Sequence, residues 1–268
     1  MLLRLFNSFF HYIIIFLFIS CSNLFSKPKA AGRNSAFYNQ YKLTNNKDYI
    51  EHLAFLHRSI IKPLEKSLVK LTPKGNVYLN GLINRLQINN ELLLNKLDKI
   101  EIFLIKNKTP FVFSLPGGKI YISTTLINKY VRYESLLASI LSLEMIKSER
   151  NYYRKWITIP IGILSVDQAI SINRLSIEEK IELDKWAFYV LKRSGFDPYS
   201  ILSWVQVLNK NALELSTYLG ELKKISREET LLKSFIVNIG INRKIEDKQT
   251  NSSKEFYHFI DEIKEIDA

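Results

Sequence analysis

The stretch from Phe111 to Arg150 constrains this chain more than any other, and it reads FVFSLPGGKIYISTTLINKYVRYESLLASILSLEMIKSER. Two short runs rich in β-branched and aromatic residues, 111–115 and Lys119–Ser123, flank Pro116-Gly117-Gly118. Such runs form strands, and a Pro-Gly-Gly set turns the chain back on itself. Glu134–Arg150 then places Leu137, Ile140 and Leu141 at helical spacing, with Glu144 on an adjoining face. The spacing predicts a hairpin feeding a long helix that carries a carboxylate in its middle.

Helical periodicity dominates the flanks. Ile50, Leu53, Leu56, Ile60, Ile61, Leu64 and Leu68 predict a helix that Pro63 should kink or divide. Pro73-Lys74-Gly75 reads as a break, and 77–97 resumes the helical pattern. Glu101–Ile105 is β-like and should join the hairpin in a small antiparallel sheet. Ser176 with Glu179 forms a capping-box pattern for a helix that Gly195 should end. Pro198 opens a further helix, 213–239 is helical with a break near Gly220, and 256–266 is amphipathic and able to dock back. The expected class is α+β, mostly helical with a small antiparallel sheet.

The N-terminus predicts a lipoprotein leader. Arg4 precedes an apolar run over residues 9–19, too short to span a bilayer comfortably but suited to a signal-peptide core. Phe18-Ile19-Ser20-Cys21 resembles a bacterial lipobox with Cys21 as the lipid acceptor. Cys21 is the single cysteine, so no intrachain disulfide can form. Each buried acyl CH₂ contributes about 0.8 kcal/mol to membrane attachment. The expected organisation is a signal peptide at 1–20, a tether at 21–46, a globular domain at 47–240, and a polar tail with a short amphipathic helix at 241–268. The formal net charge of +12 favours an anionic neighbour such as phospholipid, while no nucleic-acid-binding motif accompanies it.

The run Phe113-Ser114-Leu115-Pro116-Gly117-Gly118-Lys119-Ile120-Tyr121-Ile122-Ser123 resembles a signature of metallopeptidase family 48. That family includes the CAAX prenyl proteases, the HtpX membrane protease and BepA-type periplasmic enzymes. Phe111-Val112 stands where the family pattern has Asn-Ala. Leu191-Lys192-Arg193-Ser194-Gly195-Phe196-Asp197-Pro198 resembles a second family block, at a helix end, and the likeness spans about residues 71–225. It implies a gluzincin-like peptidase domain. It also implies that the strand Gly118, Lys119, Ile120, Tyr121, Ile122 and Ser123 is an edge that holds extended peptide by β-augmentation.

Carried over residue by residue, the resemblance puts the catalytic general base on Glu144 and a supporting carboxylate on Asp184. The three zinc-ligand positions fall on Leu143, Lys147 and Lys180, and a downstream element falls on Tyr218, Leu219 and Lys224. Leucine offers no lone pair, and a lysine ammonium repels a dication. Without zinc to acidify water, Glu144 is a weak base acting on an unactivated nucleophile. A Lys–Glu cluster built on Lys147 and Lys180 would replace the charge of the missing cation.

The expected function is that of a membrane-tethered pseudopeptidase in the bacterial cell envelope, facing the periplasm and needing no cofactor. Its partners would be the membrane through Cys21, and a polypeptide client or a catalytic paralogue, but no nucleic acid. The alternatives are an active zinc metalloendopeptidase with unorthodox ligands and a structural envelope lipoprotein with a collapsed cleft. His52, His57 and His258 do not assemble a site, since His52 and His57 lie about 140° apart around a helix. Ser67-Leu68-Val69-Lys70 echoes a serine–lysine motif and Ser171-Ile172-Asn173 faintly its second element, but no Lys-Thr-Gly follows, so the match is chance. Ser142 lies too far round its helix from Lys147 to form a dyad.

Overall fold

The computed structural model describes residues 38–39, 50–94 without 52 and 55, 99–153, 159–160, 165–215, 222–239 and 252–267. The leader, Cys21, His52, Trp156, Tyr218, Leu219 and Gly220 lie outside the described residues. Tyr38–Asn39 (β1), within the range expected to be tether, pairs antiparallel with Ile159–Pro160 (β5), Tyr38 opposite Pro160. This pair belongs to a separate unit from the main body.

The main body is mostly helical. His57–Leu64 (α1) carries Pro63 in its last turn and passes into a short 3₁₀ turn at Glu65–Ser67. Pro73–Ile88 (α2) begins where a break was expected, because Thr72 accepts the Gly75 N–H and Pro73 occupies the first turn. Proline is tolerated there since its missing N–H would have had no intrahelical acceptor. Glu91–Leu94 (α3) follows as a separate short helix.

The sheet contains Glu101–Ile105 (β2), Val112–Leu115 (β3) and Lys119–Ser123 (β4) in the order β2-β4-β3. β3 and β4 form the predicted hairpin, with Phe113 opposite Tyr121. β2 runs parallel to β4, Phe103 beside Tyr121, so the sheet is mixed and not antiparallel. Residues 106–111 carry the chain from β2 past the position of β4 to the far edge, which makes the first pair parallel. β4 is therefore the central strand. Its backbone is paired on both sides, and it cannot add a peptide as an edge would.

Side-chain alternation gives the sheet two apolar faces. Leu104, Ile120, Ile122 and Val112 join the main helical core. On the other face Phe103, Tyr121 and Phe113 stack in a row, with centroids 5.2 and 4.7 Å apart. His57 covers that row, its Nδ1 2.5 Å from the Tyr121 hydroxyl.

Thr124–Tyr130 (α4) follows β4 directly, and Glu134–Arg150 (α5) matches the predicted central helix at both ends. α5 is buried on every side from Leu136 to Glu149, which puts its polar residues inside the protein. Val166–Ile172 (α6) precedes Ile177–Arg193 (α7), where the Ser176–Glu179 capping box is present as predicted. Gly195 follows α7 with φ +71°. Ser200–Lys210 (α8), Leu222–Asn238 (α9) and Lys254–Asp267 (α10) complete the body. α10 docks through buried Phe256, Phe259, Ile260 and Ile263. Glu134, the first residue of α5, accepts both the Ser253 N–H and its hydroxyl at the start of α10.

Candidate functional site

Helix α5 reaches the site with its outer turns already fixed. Ser148 Oγ accepts the Gly118 N–H and donates to the Leu115 carbonyl, each at 2.8 Å. This clamps the hairpin turn onto the helix. Gly118 has φ +75°, and a Cβ there would overlap the Lys99 carbonyl. Glycine at 118 is therefore required both by its backbone conformation and by the close approach of β2.

One turn back from Ser148, α5 presents Glu144 and Lys147 to a cavity of about 50 Å³. Leu143, Lys180 and Asp184 line the same cavity, together with Glu228 of α9. The residues that the resemblance singles out in two separate helices thus share one pocket. Lys147 Nζ donates to Glu144 Oε1 at 2.7 Å, and both residues are buried. Lys180 Nζ donates to Glu228 Oε2 at 2.9 Å. Lys180 thus lies in one cavity with Glu144 and Asp184, and its hydrogen-bond partner is supplied by α9.

Asp184 is buried in the same cavity, and its Oδ2 makes no hydrogen bond. Burial first, and the Glu228 carboxylate next, push its carboxyl well above the usual carboxylate range, while the Lys180 cation opposes them. Two lysines, two glutamates, Asp184 and the Arg174 side chain thus line one small cavity. A buried charge is tolerated only when it is paired, and both lysines and both glutamates are.

The donor set does not fit zinc. Leu143 has no donor atom, and both lysine ammonium groups are hydrogen-bonded to carboxylates. Among the described residues, no group of three or more His, Cys, Asp or Glu side chains could hold a metal ion. Glu144 Oε1 accepts the Lys147 hydrogen bond, and its Oε2 is buried without a hydrogen-bond partner.

The edge of the sheet beside this cavity is β3. Its outward-facing Ser114 N–H is held by Asn173 Oδ1 at 3.3 Å. Asn173 in turn donates to the Ala169 carbonyl at 2.9 Å, which fixes it to the end of α6. The strand expected to hold peptide, Gly118 to Ser123, is interior, and Tyr121 and Ile122 are almost wholly buried. Ser142 donates to the Ser139 carbonyl within α5 and forms no dyad with Lys147.

Glu228 and Ser148 are not among the residues that the sequence singles out, and Asn173 enters only in a chance motif. Glu228 left a usable signal, since it lies on the apolar stripe Ile225, Leu232 and Ile236 of its helix. Asp184 lies in the same way among Ile177, Ile181, Phe188 and Leu191. A carboxylate on an apolar stripe announces a buried partner. Ser148 and Asn173 act on backbone groups far away in sequence, and nothing in their neighbourhoods marks them.

Compared with known proteins, the chain matches no protein-family model and no curated protein sequence.

Proposed function

We propose that this protein is a membrane-tethered bacterial lipoprotein with a catalytically silent, family 48-like peptidase domain that acts in the cell envelope by binding. One observation carries this reading. Glu144, the residue in the general-base position, accepts a hydrogen bond from Lys147 at 2.7 Å, and both side chains are buried beside a small cavity. A carboxylate held by a lysine, with leucine and lysine at the neighbouring ligand positions, lacks the metal that would acidify its water.

The experiment is direct. Purified full-length protein is assayed for bound zinc and for casein cleavage with and without chelator. The expected outcome is substoichiometric zinc and no chelator-sensitive cleavage. One zinc per chain with chelator-sensitive cleavage overturns the reading in favour of an active metalloendopeptidase. Labelling of cells with an alkyne fatty acid tests the tether, and Cys21→Ala should abolish incorporation.

A structural envelope role with a closed cleft is the second reading. The small cavity and the Asn173 contact on β3 favour it. Asn173→Ala separates the two, since an extended client should bind the freed β3 edge only if the cleft serves for binding.

A further inference from the structure

A second concavity, of about 910 Å³, runs between α2 and α10. It shares no residue with the cavity at Glu144. Val77, Gly81 and Leu82 of α2, with Phe196 and Phe259, form its apolar floor. Val77 is 73% exposed, a large apolar side chain left in water.

Gly81 is the informative residue. It stands inside a sixteen-residue helix, and a Cβ placed there would meet nothing within 4 Å. Glycine in a helix interior is less favourable than alanine, because it loses more backbone freedom on folding. Gly75 in the same helix has a reason, since Glu262 fills the space its side chain would take. No neighbour asks for glycine at 81. Its missing side chain leaves depth in the floor of the groove for a side chain that comes from elsewhere.

The charge of the groove is opposite to that of the chain. Five carboxylates, Glu134, Glu255, Asp261, Glu262 and Glu265, line it against two cations, Lys74 and Arg85. The whole chain carries +12. Glu134 and Glu262 are engaged with Ser253 and Thr72, and Asp261 with Lys264. Glu255 and Glu265 are exposed and have no ion-pair partner among the described residues. Arg85 is occupied by the Ser194 and Gly195 carbonyls and stacks over Phe196 at 4.0 Å. Such a rim repels anionic headgroups and attracts cations.

We propose that this groove binds a lysine- or arginine-bearing segment of a partner polypeptide. The segment seats an apolar side chain over Gly81 and sets its cations against Glu255 and Glu265. The site is independent of whether the cavity at Glu144 is silent, and the test does not depend on hydrolysis.

The full-length protein in detergent is used to select from a random phage-displayed library of peptides about 12 residues long. Enriched peptides are then synthesised with a fluorophore and titrated by anisotropy. Enrichment of Lys or Arg around Leu or Phe is expected, with binding that weakens as salt rises. Gly81→Trp, which fills the groove, should weaken binding at least about tenfold, and E255K/E265K should do the same. Both variants should melt like the parent. Should Gly81→Trp fail to fold, E255K/E265K alone decides, since both positions lie on the exposed rim. Enrichment of acidic peptides, no enriched motif, or unchanged binding to either folded variant overturns the proposal. So does binding to phosphatidylglycerol vesicles that Gly81→Trp abolishes, which makes the groove a lipid site. A dimer that Gly81→Trp converts to monomer assigns the groove to a second copy and overturns it equally.

Discussion

Lys147 Nζ meets Glu144 Oε1 at 2.7 Å across one turn of α5, with the two side chains 5% and 1% exposed. The pair is almost wholly shielded from bulk solvent, so removing either member strands the other. An ion pair of this kind contributes little net stability when intact, because desolvation offsets the attraction. Its loss on one side is a different matter.

Lys147→Met should therefore destabilise the domain by about 3–5 kcal/mol, the cost of an uncompensated buried charge. The double variant Lys147→Met with Glu144→Leu should recover most of that loss, since no charge remains to be buried. Urea unfolding of the three proteins tests this. A single variant with the parental midpoint would show that Glu144 reaches solvent and that the pair is incidental.

Asp184 makes stability depend on pH. Its carboxyl titrates well above its ordinary value of 3.8, so folding takes up a proton wherever the pH lies between the two values. For an acid whose folded pKa is raised, the unfolded state binds fewer protons in that window. Stability contributed at this position accordingly falls as pH rises from about 4 toward the folded pKa. Asp184→Asn should remove that slope, melting higher than the parent at pH 8 and nearly with it at pH 4. A constant offset at both pH values would assign the effect to packing.

The two glycines of the hairpin turn should behave differently. Gly117 and Gly118 both have positive φ, 81° and 75°. A Cβ at Gly117 meets nothing within 4 Å, whereas one at Gly118 overlaps the Lys99 carbonyl of the backbone. Gly117→Ala should cost about 1 kcal/mol, the conformational penalty alone. Gly118→Ala should cost clearly more, because β2 must also shift. Equal thermal shifts for the two variants would contradict the close approach of β2.

At the start of α2, Glu262 accepts both the N–H and the hydroxyl of Thr72, and its carboxylate fills the space beside Gly75. Gly75→Ala gains about 0.5–1 kcal/mol of helix propensity but displaces that carboxylate, whose capping contribution is of similar size. The variant should be close to neutral. In a Glu262→Ala background the same substitution should instead stabilise by about 0.5–1 kcal/mol. Additive effects in this double-mutant cycle would show that the two positions do not interact.

Much of the fold was legible because it is local. The Ser176–Glu179 capping box, the bounds of α5 and the positive-φ glycines each follow from a few neighbouring residues, and all are present. The start of α2 was misread because Pro73 and Gly75 break a helix interior, whereas here they occupy its first turn behind Thr72. The sheet was misassembled for another reason. Alternation marks 101–105 as a strand, but it carries no information on which neighbour it takes or in which direction.

The sequence by itself determined the hairpin, the central helix α5 and the capped helix α7, and it shows that Leu143, Lys147 and Lys180 carry no side chain suited to zinc. Side-chain chemistry is a property of the residue, so it can be read before the chain folds. Only the tertiary structure decided that Lys180 pairs with Glu228, that Asp184 is buried beside that pair, and that β4 lies inside the sheet. Pairing and burial depend on contacts between residues far apart in sequence. Lys180 and Glu228 meet only because α7 and α9 pack together, and no local pattern specifies which carboxylate a buried lysine will reach.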